Sequence, residues 1–404
     1  MDAAITGLGL LTPAGLGVDA TWQGLCAGQP AARPHTVLEG LPVNFCCRLP
    51  DFDAEPVLGR RLTWRLDLFA EMALVAALEA VQDAGLDPAV WDGARVGVVI
   101  GNGSGGNVGL EKEYGKLQEG RISAISPLTI PRSVPNMVAG EIALAMKALG
   151  PNFVTATACA SGATALGVAR DLLRLNRCDV VLAGGSESVC SRIASAGFSQ
   201  AGVLSTRTHD PAGASRPFDA DRDGFVLGEG AAVLVMERAE HARARGARIQ
   251  GYLSGYGATA DGYHPTAPDP SGQGVERATA MALDDAGLRP EDIGHINAHG
   301  TSTQKNDLAE ALVLRKLFGT PPPVTATKSV IGHGIGAAGA IEAAVTVLAL
   351  REQLIPPTAN LDRMDERIEL DVVTKNPRPH TMHAALSNSF AFGGQNAVLA
   401  FRAP

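Results

Sequence analysis

The chain has 404 residues, of which 46% are hydrophobic and 19% are charged, and its formal net charge at pH 7 is −8. The apolar share excludes an intrinsically disordered chain, and the negative charge argues against a protein that binds nucleic acid by neutralising phosphates. The 47 glycines and the aromatic share of 4% are typical of an α/β enzyme with many tight turns. Because this length exceeds one compact core, we expect two domains or one large duplicated domain.

Six cysteines in so long a chain do not form a disulfide framework, and no Cys-x-x-Cys pair is present to hold zinc. We therefore predict a reducing, cytoplasmic location. The N-terminus lacks a basic region and Pro13 interrupts its apolar stretch, so no signal peptide is predicted. The most apolar later segment, residues 335–350, carries Glu342 and is shorter than the ~20 residues that span a bilayer. We interpret this segment as a buried helix and predict no membrane partner.

Short β-branched runs that end in glycine alternate with alanine- and leucine-rich stretches, as in layered α/β folds. We predict strands at residues 3–6, 96–100, 153–156, 180–183, 232–236, 249–255, 295–297, 324–326, 385–388 and 397–401. We predict helices at residues 68–84, 160–175, 273–286, 307–318 and 337–351. The basic stretch 241–246 separates two halves with similar strand and helix alternation, and it predicts domains at residues 1–245 and 246–404.

Three arginines near the first long helix form a candidate basic patch: Arg60, Arg61 and Arg65. Such a patch could bind an acidic partner through long-range electrostatic attraction. Solvated surface arginines are the alternative interpretation.

Two segments, residues 101–106 and 334–339, match the G-x-G-x-x-G pattern of dinucleotide-binding loops. Two matches in one glycine-rich chain show how weak the pattern is. The first match follows a predicted strand, but no helix start is evident after it because residues 111–116 are highly charged. A nucleotide-dependent oxidoreductase stays an alternative, and we predict no nucleotide, flavin or metal cofactor.

Cys159 lies in the run Thr155-Ala-Thr-Ala-Cys-Ala-Ser-Gly162, between a predicted strand and a predicted helix of small residues. It should lie on a turn at the N-terminus of that helix, where the partial positive charge of the helix end favours the thiolate. The small neighbours leave the space that a nucleophile needs for its substrate. We interpret Cys159 as the nucleophile and the remaining cysteines as buried structural thiols.

Two histidines follow in equally distinctive settings. His299 comes just after a predicted strand, where catalytic groups of open α/β sheets collect, and Thr301 and Thr303 beside it could hold a polar substrate arm. His333 lies between two glycines, which leave its imidazole uncovered. Lys328, five residues earlier, is either a solvated amine or a charge that tunes the site.

The three motifs, in this order and spacing, resemble those of the elongating β-ketoacyl-acyl carrier protein synthases, which are Cys-His-His members of the thiolase superfamily. The resemblance covers nearly the whole chain and includes residues 215–219, 222–228 and 388–394. It implies an α/β thiolase-like fold, with two duplicated halves in five layers of the order α-β-α-β-α and a dimer as the minimal unit.

The resemblance also implies the chemistry, which is a decarboxylative Claisen condensation of an enzyme-bound acyl group with malonyl-acyl carrier protein to give a 3-oxoacyl product. Cys159 matches the acylated nucleophile, while His299 and His333 match the pair at the malonyl thioester. The backbone N–H groups of Cys159 and Phe392 match the oxyanion-binding donors. The other matches are Lys328 and Glu310 as supporting charges, Phe225 and Phe392 as aromatic neighbours of the nucleophile, and Thr301 and Thr303 as contacts of the phosphopantetheine arm. That arm is carried by the acyl carrier protein, so no cofactor is expected on this chain.

The same positions separate this chain from related enzymes. Thiolases carry a second catalytic cysteine near the C-terminus, and here no cysteine follows Cys190. Chain-initiating synthases place an asparagine where His333 stands. Silent partner subunits of polyketide ketosynthases lack the nucleophile, which is present here as Cys159.

Two departures from the family pattern bear on the substrate. Ala391 replaces a glycine of the usual Asn-Ser-Phe-Gly-Phe-Gly-Gly, which would stiffen a loop near the thiol. Leu128 and Thr129 stand where bacterial fatty-acid enzymes commonly place phenylalanines near the dimer contact and the acyl pocket. We therefore predict the catalytic subunit of a type II polyketide system, either a homodimer or a heterodimer with a homologous chain length factor subunit. A housekeeping fatty-acid synthase and a non-catalytic ketosynthase-like subunit are the alternatives.

Overall fold

A computed structural model describes residues 2–404. Its sheet contains two five-stranded units. The first unit comprises β1 (Ala3–Thr12), β2 (Val96–Gly101), β3 (Asn152–Thr155), β4 (Val180–Ser188) and β5 (Glu229–Arg238). The second unit comprises β6 (Gly251–Ala260), β7 (His295–Asn297), β8 (Val324–Thr325), β9 (Ala384–Ala391) and β10 (Gln395–Arg402). Every predicted strand is confirmed, although β1, β4 and β6 extend five or six residues beyond their predicted ends.

The longer helices are α1 (Val18–Ala27), α2 (Leu68–Asp83), α3 (Asn107–Gln118), α4 (Met137–Met146), α5 (Ser161–Arg174), α6 (Arg192–Gln200), α7 (Gln273–Ala286), α8 (Gln304–Phe318) and α9 (Ala338–Glu352). The five predicted helices are confirmed as α2, α5, α7, α8 and α9. The expectation that no helix follows residues 101–106 is wrong, because α3 begins directly after them. This helix buries none of its residues, so it lacks the apolar stripe by which a sequence reveals a helix.

Short elements complete the chain. Helical turns lie at Thr36–Leu38, Glu55–Leu58, Arg60–Thr63, Gly93–Arg95, Ile122–Ala124, Thr129–Ser133, Ala158–Ala160, Ala239–Ala244, Pro290–Asp292, Lys328–Ile331 and Ile335–Ala337. Short strands lie at Gly15–Leu16, Arg33–Pro34, Phe45–Cys46, Leu354–Ile355 and Arg378–Pro379.

The two units have the same topology. In the first, the strand order is β3-β2-β4-β5-β1, and in the second it is β8-β7-β9-β10-β6. The central strand β2 pairs in parallel with β3 and β4, just as β7 pairs in parallel with β8 and β9. The remaining pairs are antiparallel in both units, and β1 pairs with β6 to join them. This repetition confirms the predicted duplication.

Helices cover both units in layers. α5 and α9 lie in the middle and contact strands of both units. α2 and α4 pack on the outer side of the first unit, and α7, with α8 beside it, packs on the outer side of the second. The predicted five-layer arrangement is confirmed. Most of α9 is buried, as expected for an apolar helix between two sheets. Within residues 2–404, no helix has the length and apolarity needed to cross a bilayer.

The predicted domain boundary falls in the connection between β5 and β6. The basic stretch that suggested it lies mostly in the short helix Ala239–Ala244. The division at residues 245 and 246 stays a prediction.

The central helices meet at a glycine of each half. A Cβ atom on Gly162 would lie 2.6 Å from the backbone nitrogen of Ala340, and one on Gly339 would lie 2.8 Å from that of Ala163. Each glycine is the second residue of its helix. The contact is therefore reciprocal, as a duplicated fold requires, and it brings the two helix N-termini together.

We expect Gly162→Ala to lower the free energy of unfolding by about 1–3 kcal/mol, because the added methyl group overlaps the backbone of α9. Gly197→Ala is the matched control, since a Cβ atom at this helical glycine meets open space. The control should raise stability by about 0.5–1 kcal/mol. Thermal unfolding at equal protein concentration measures both, and an equal response of the two variants would contradict the close contact.

Candidate active site

The three predicted catalytic residues line one cleft of about 350 Å³. Cys159 follows β3, His299 follows β7, and His333 follows the turn after β8. All three therefore lie beyond the carboxyl ends of parallel strands, where α/β sheets place their ligands. The sulfur of Cys159 lies 3.1 Å from Nε2 of His333, and the ring centroids of His299 and His333 are 5.6 Å apart.

Strained backbone lies just before Cys159 and just after His333. Ala158 has φ of 47° and Ile335 has φ of 45°, in the left-handed region that residues other than glycine rarely adopt. Such conformations cost about 1–3 kcal/mol each and persist where the surroundings fix them. Cys159 itself is buried in the turn Ala158–Ala160, which leads directly into α5 as predicted.

The hydrogen bonds of His333 fix its tautomer. The backbone N–H of Ile335 donates to Nδ1 over 3.3 Å, so the proton of the neutral ring resides on Nε2. This Nε2–H donates to the sulfur of Cys159. Burial, together with the charge of Lys328, holds the pKa of His333 well below its usual range. The imidazole is therefore a neutral donor at pH 7.

Other neighbours fix the position and the tautomer of His299. The ammonium group of Lys328 lies 3.4 Å from Nδ1 of His299 and donates to its carbonyl oxygen over 2.7 Å. The carboxylate of Glu310 accepts from the backbone N–H groups of His299 at 2.8 Å and of Gly300 at 2.9 Å. Burial, Lys328 and His333 hold the pKa of His299 well below its usual range. Because Nδ1 accepts from an ammonium group, Nε2 of His299 carries the ring proton.

Lys328 is buried, which excludes the solvated alternative. Its ammonium group forms an ion pair with Glu342 of α9, which is also buried. Burial raises the pKa of Glu342 to about 7, and Lys328 opposes this rise. We did not predict Glu342 as part of the site. The sequence does contain a signal for Glu342, because it is a single carboxylate in the middle of an apolar helix. A buried carboxylate needs a partner.

Burial raises the pKa of the Cys159 thiol to about 11, while Lys328 and the backbone N–H of Phe392 lower it. The thiolate expected from the helix N-terminus alone is therefore not the dominant form in the buried site. The N–H groups of His333 and Phe392 point at the sulfur and stabilise the thiolate when it forms.

We expect the alkylation rate of Cys159 by iodoacetamide to rise nearly tenfold per pH unit between pH 6 and 9. The thiolate is the reactive form, and its fraction grows with pH until the raised pKa is reached. Mass spectrometry of the Cys159 peptide measures the rate. Cys26 is the internal reference, because burial and Glu352 raise its pKa to about 11 as well. A rate for Cys159 that levels off below pH 8 would contradict the raised pKa.

The predicted aromatic neighbours also line the cleft. The ring of Phe225 packs edge-on against His333 with 5.2 Å between centroids. Phe392 is half-buried, and its ring lies 6.4 Å from that of Phe198, which in turn packs edge-on against Phe225. Phe198 was not predicted, since nothing in the local sequence of α6 connects it with the motifs. Ala391 is half-buried and precedes Phe392 in the cleft wall.

Thr301 and Thr303 line the same cleft, and their hydroxyl oxygens are 3.0 Å apart. The Thr303 hydroxyl also accepts from the backbone N–H of Asn306 at the start of α8. The Thr303 side chain therefore caps the N-terminus of α8.

Leu128 and Thr129 lie elsewhere. Leu128 lines a second cavity of about 270 Å³ together with Arg65 and Glu141. Thr129 begins the short helix Thr129–Ser133, and its hydroxyl donates to the carbonyl oxygen of Ser126 over 2.6 Å. Neither residue lines the cleft of Cys159, and their contact with an acyl chain stays a prediction.

The two loops that match a dinucleotide-binding pattern both donate hydrogen bonds to the side chain of Glu187. Its carboxylate accepts from the backbone N–H groups of Gly103 at 2.7 Å and of Gly336 at 3.2 Å, and from the hydroxyl of Ser104 at 2.6 Å. The donors that a pyrophosphate would need are thus engaged by a side chain of the protein itself. Within residues 2–404, no group of three or more histidine, cysteine, aspartate or glutamate residues is arranged to hold a metal ion.

The arginines of the predicted basic patch are exposed, as a docking patch requires. Arg65 also forms an ion pair with Glu141. Binding of an acidic partner by Arg60, Arg61 and Arg65 stays a prediction.

The chain matches two family models, the "Beta-ketoacyl synthase, N-terminal domain" over residues 2–242 and the "Beta-ketoacyl synthase, C-terminal domain" over residues 250–362. The chain belongs to the beta-ketoacyl synthase family. This membership confirms the predicted acyltransferase class and the condensation of the ketosynthases.

One relative is the "3-oxoacyl-[acyl-carrier-protein] synthase 2" of Synechocystis sp., which is 43% identical over 403 residues, or 98% of this chain and 97% of the relative. Among solved structures, "The ishigamide ketosynthase/chain length factor" has a TM-score of 0.93 at 35% identity and covers 100% of this chain and 99% of its own. A second structure is "AntDE:AntF (apo): type II PKS acyl-carrier protein in complex with its ketosynthase bound to the hexaketide". It has a TM-score of 0.92 at 30% identity, with 100% and 99% coverage. The similar proteins therefore include one named as a 3-oxoacyl-[acyl-carrier-protein] synthase and one named for a type II PKS.

Proposed function

We propose that Cys159, His299 and His333 carry out the two half-reactions of an elongating ketosynthase on acyl carrier protein substrates. The convergence of one thiol and two neutral imidazole donors in one cleft is the observation that carries this proposal. The nucleophile and the electrophilic stabilisers are then within reach of the same substrate carbonyl.

In the first half-reaction the Cys159 thiolate attacks the carbonyl carbon of an acyl thioester. A new carbon–sulfur bond forms, the bond to the pantetheine sulfur breaks, and that thiol leaves with the proton. The backbone N–H of Phe392 and the Nε2–H of His333 lie at the sulfur, where they favour its anionic form. By resemblance, the N–H groups of Cys159 and Phe392 bind the oxyanion of the tetrahedral intermediate.

In the second half-reaction the Nε2–H groups of His299 and His333 donate to the thioester carbonyl of a malonyl group. Carbon dioxide leaves, and the electron pair of the broken bond gives an enolate whose oxygen these donors stabilise. The enolate carbon attacks the acyl-Cys159 carbonyl and expels the Cys159 thiolate, which gives a 3-oxoacyl product two carbons longer. Neutral rings suit this task, because each must donate a hydrogen bond without losing its proton.

We assign the phosphopantetheine arm to the cleft wall formed by Thr301 and Thr303. Their hydroxyl groups can donate to and accept from the amides of such an arm. Its carrier is an acyl carrier protein, which is the partner of the ketosynthase in the AntDE:AntF structure. The exposed arginines 60, 61 and 65 are the surface that we assign to an acidic carrier.

We further propose that a second subunit adds to the free edge of β3. This strand pairs with β2 on one side only, and it is partly exposed. Exposed apolar side chains lie near it, with Phe153 at 37%, Leu144 at 67% and Leu149 at 76%. An open strand edge with apolar neighbours is a template for pairing with another chain. The ishigamide structure, named for a ketosynthase and a chain length factor, supports a homologous subunit as one candidate for this place.

A panel of acyl carrier protein thioesters tests the function. The purified protein is incubated with saturated and polyunsaturated donors, and the mass of the Cys159 peptide is followed. We expect an acyl adduct, and its preferred chain decides between the predicted polyketide role and the fatty-acid alternative. Absence of an adduct with every donor, both alone and with co-expressed homologous subunits, would favour the non-catalytic alternative.

A further inference from the structure

The turn Ile335–Ala337, which begins two residues after His333, contains an unfavourable backbone conformation. Ile335 has φ of 45° although its side chain is β-branched and buried. Its backbone N–H donates to Nδ1 of His333. The conformation of this turn therefore decides which nitrogen of His333 carries the proton, and contacts outside the turn must fix it.

Glu187, at the end of β4, contacts this turn through its carboxylate. Its Oε2 accepts from the backbone N–H groups of Gly336 and Gly103. Its Oε1 accepts from the Ser104 hydroxyl and from the side-chain amide of Asn102 at 3.2 Å. The carboxylate is fully buried, so these donors replace water entirely.

The fit around the carboxylate is tight. A Cβ atom on Gly336 would lie 2.7 Å from Oε2 of Glu187 and 2.5 Å from the backbone nitrogen of Gly103. Glycine at position 336 is thus required for the carboxylate to reach the backbone. Glu187 joins a loop of the first half to the turn that carries His333 in the second half.

We propose that Glu187 is a positioning residue for His333. By accepting from Gly336 it keeps Ile335 in the strained conformation, and Ile335 in turn keeps the Nε2–H of His333 directed at Cys159. Glu187 itself does not line the substrate cleft. The inference rests on the role proposed for His333, and it predicts that Glu187 acts on the reaction only through that imidazole.

The first test is Glu187→Gln, which keeps the shape but leaves one oxygen to accept where the carboxylate has two. We expect kcat for malonyl-carrier protein decarboxylation to fall about 10- to 100-fold, as small misplacements of catalytic groups do. KM should change less than about twofold, because the cleft wall is untouched. The amplitude of the cooperative thermal unfolding transition gives the folded fraction, and every rate is corrected for it.

A double-mutant cycle with His333→Ala separates positioning from a general structural role. If Glu187 acts through His333, Glu187→Gln should change the residual decarboxylation rate of His333→Ala less than about twofold. The release of labelled carbon dioxide, measured at stoichiometric enzyme concentration, gives the rates of the wild type, the two single variants and the double variant. If the rate loss of the double variant equals the product of the two single losses, the two residues act independently and the proposal is overturned.

Glu237→Gln is the matched control, because Glu237 is an equally buried carboxylate that contacts Thr6, Arg245 and His241 instead. It should lower the thermal midpoint and leave kcat per folded protomer unchanged. Glu187→Asp, which keeps the charge but cannot reach Gly336 as well, is the second variant if the glutamine variant folds poorly. Wild-type kcat in both Glu187 variants would overturn the proposal. A wild-type protein that neither decarboxylates nor condenses would overturn the proposed function instead.

Discussion

Replacement of Cys159 by alanine is expected to abolish condensation, with a loss of at least about 10⁴-fold. A nucleophile that forms a covalent intermediate has no substitute, and its removal costs nearly the whole catalytic effect of the site. In this structure the sulfur is also the atom at which the Nε2–H of His333 and the N–H of Phe392 converge. Condensation of an acyl donor with malonyl-acyl carrier protein, followed by mass spectrometry of the product, measures the loss.

Two comparisons test whether the loss is specific to the role of Cys159. The variant should retain decarboxylation of malonyl-acyl carrier protein, because the imidazoles that stabilise the enolate remain in place. Cys26→Ala is the control, since Cys26 is half-buried and is not part of the cleft wall. It should condense as the wild type does. Retained elongation by Cys159→Ala would refute the assignment of the nucleophile.

The second large effect is expected for the imidazoles. His299→Ala or His333→Ala should each slow malonyl decarboxylation roughly 100- to 1,000-fold, the usual cost of removing one oxyanion donor. Acylation of Cys159 should fall less, because it depends on the backbone N–H of Phe392 as well. Half-reaction assays with labelled acyl and malonyl donors separate the two steps.

His383→Ala is a suitable control for these variants, because His383 is exposed and does not line the cleft. Both half-reactions should then proceed as in the wild type. An equal loss of acylation and decarboxylation in the His299 and His333 variants would contradict the roles proposed here. A histidine variant that loses only acylation would instead assign that histidine to the first half-reaction.

Local sequence signals identified most of the secondary structure and the turns that carry Cys159, His299 and His333. Strands such as β2 and β4 are short β-branched runs that end in glycine, and helices such as α7 carry a regular apolar pattern. Among the helices that escaped prediction, α3 buries none of its residues and α6 buries only Ser195. Amphipathic periodicity is absent where a helix does not cover a core, so a single sequence does not reveal it.

The sequence by itself placed one cysteine and two histidines on turns, because small and glycine neighbours mark those turns locally. The alternation of strands and helices indicated an α/β architecture, and the resemblance to the ketosynthases implied its duplication. Only the tertiary structure decided how these groups are tuned. Glu187 meets Gly336, and Lys328 meets Glu342, across the boundaries of separate elements.

Tertiary contacts also explain two properties that the motifs did not predict, which are the raised pKa of Cys159 and the tautomers of the two histidines. The pKa of Cys159 is raised because the folded chain removes water around it, which outweighs the local effect of the helix terminus. The tautomer of His299 depends on the ammonium group of Lys328, which the fold brings to Nδ1 from a distant position in the sequence. The tautomer of His333 depends on the nearby N–H of Ile335, but the adjacent Gly336 is bonded to the distant Glu187. Desolvation and long-range hydrogen bonds are properties of packed surfaces, and no local run of residues encodes them.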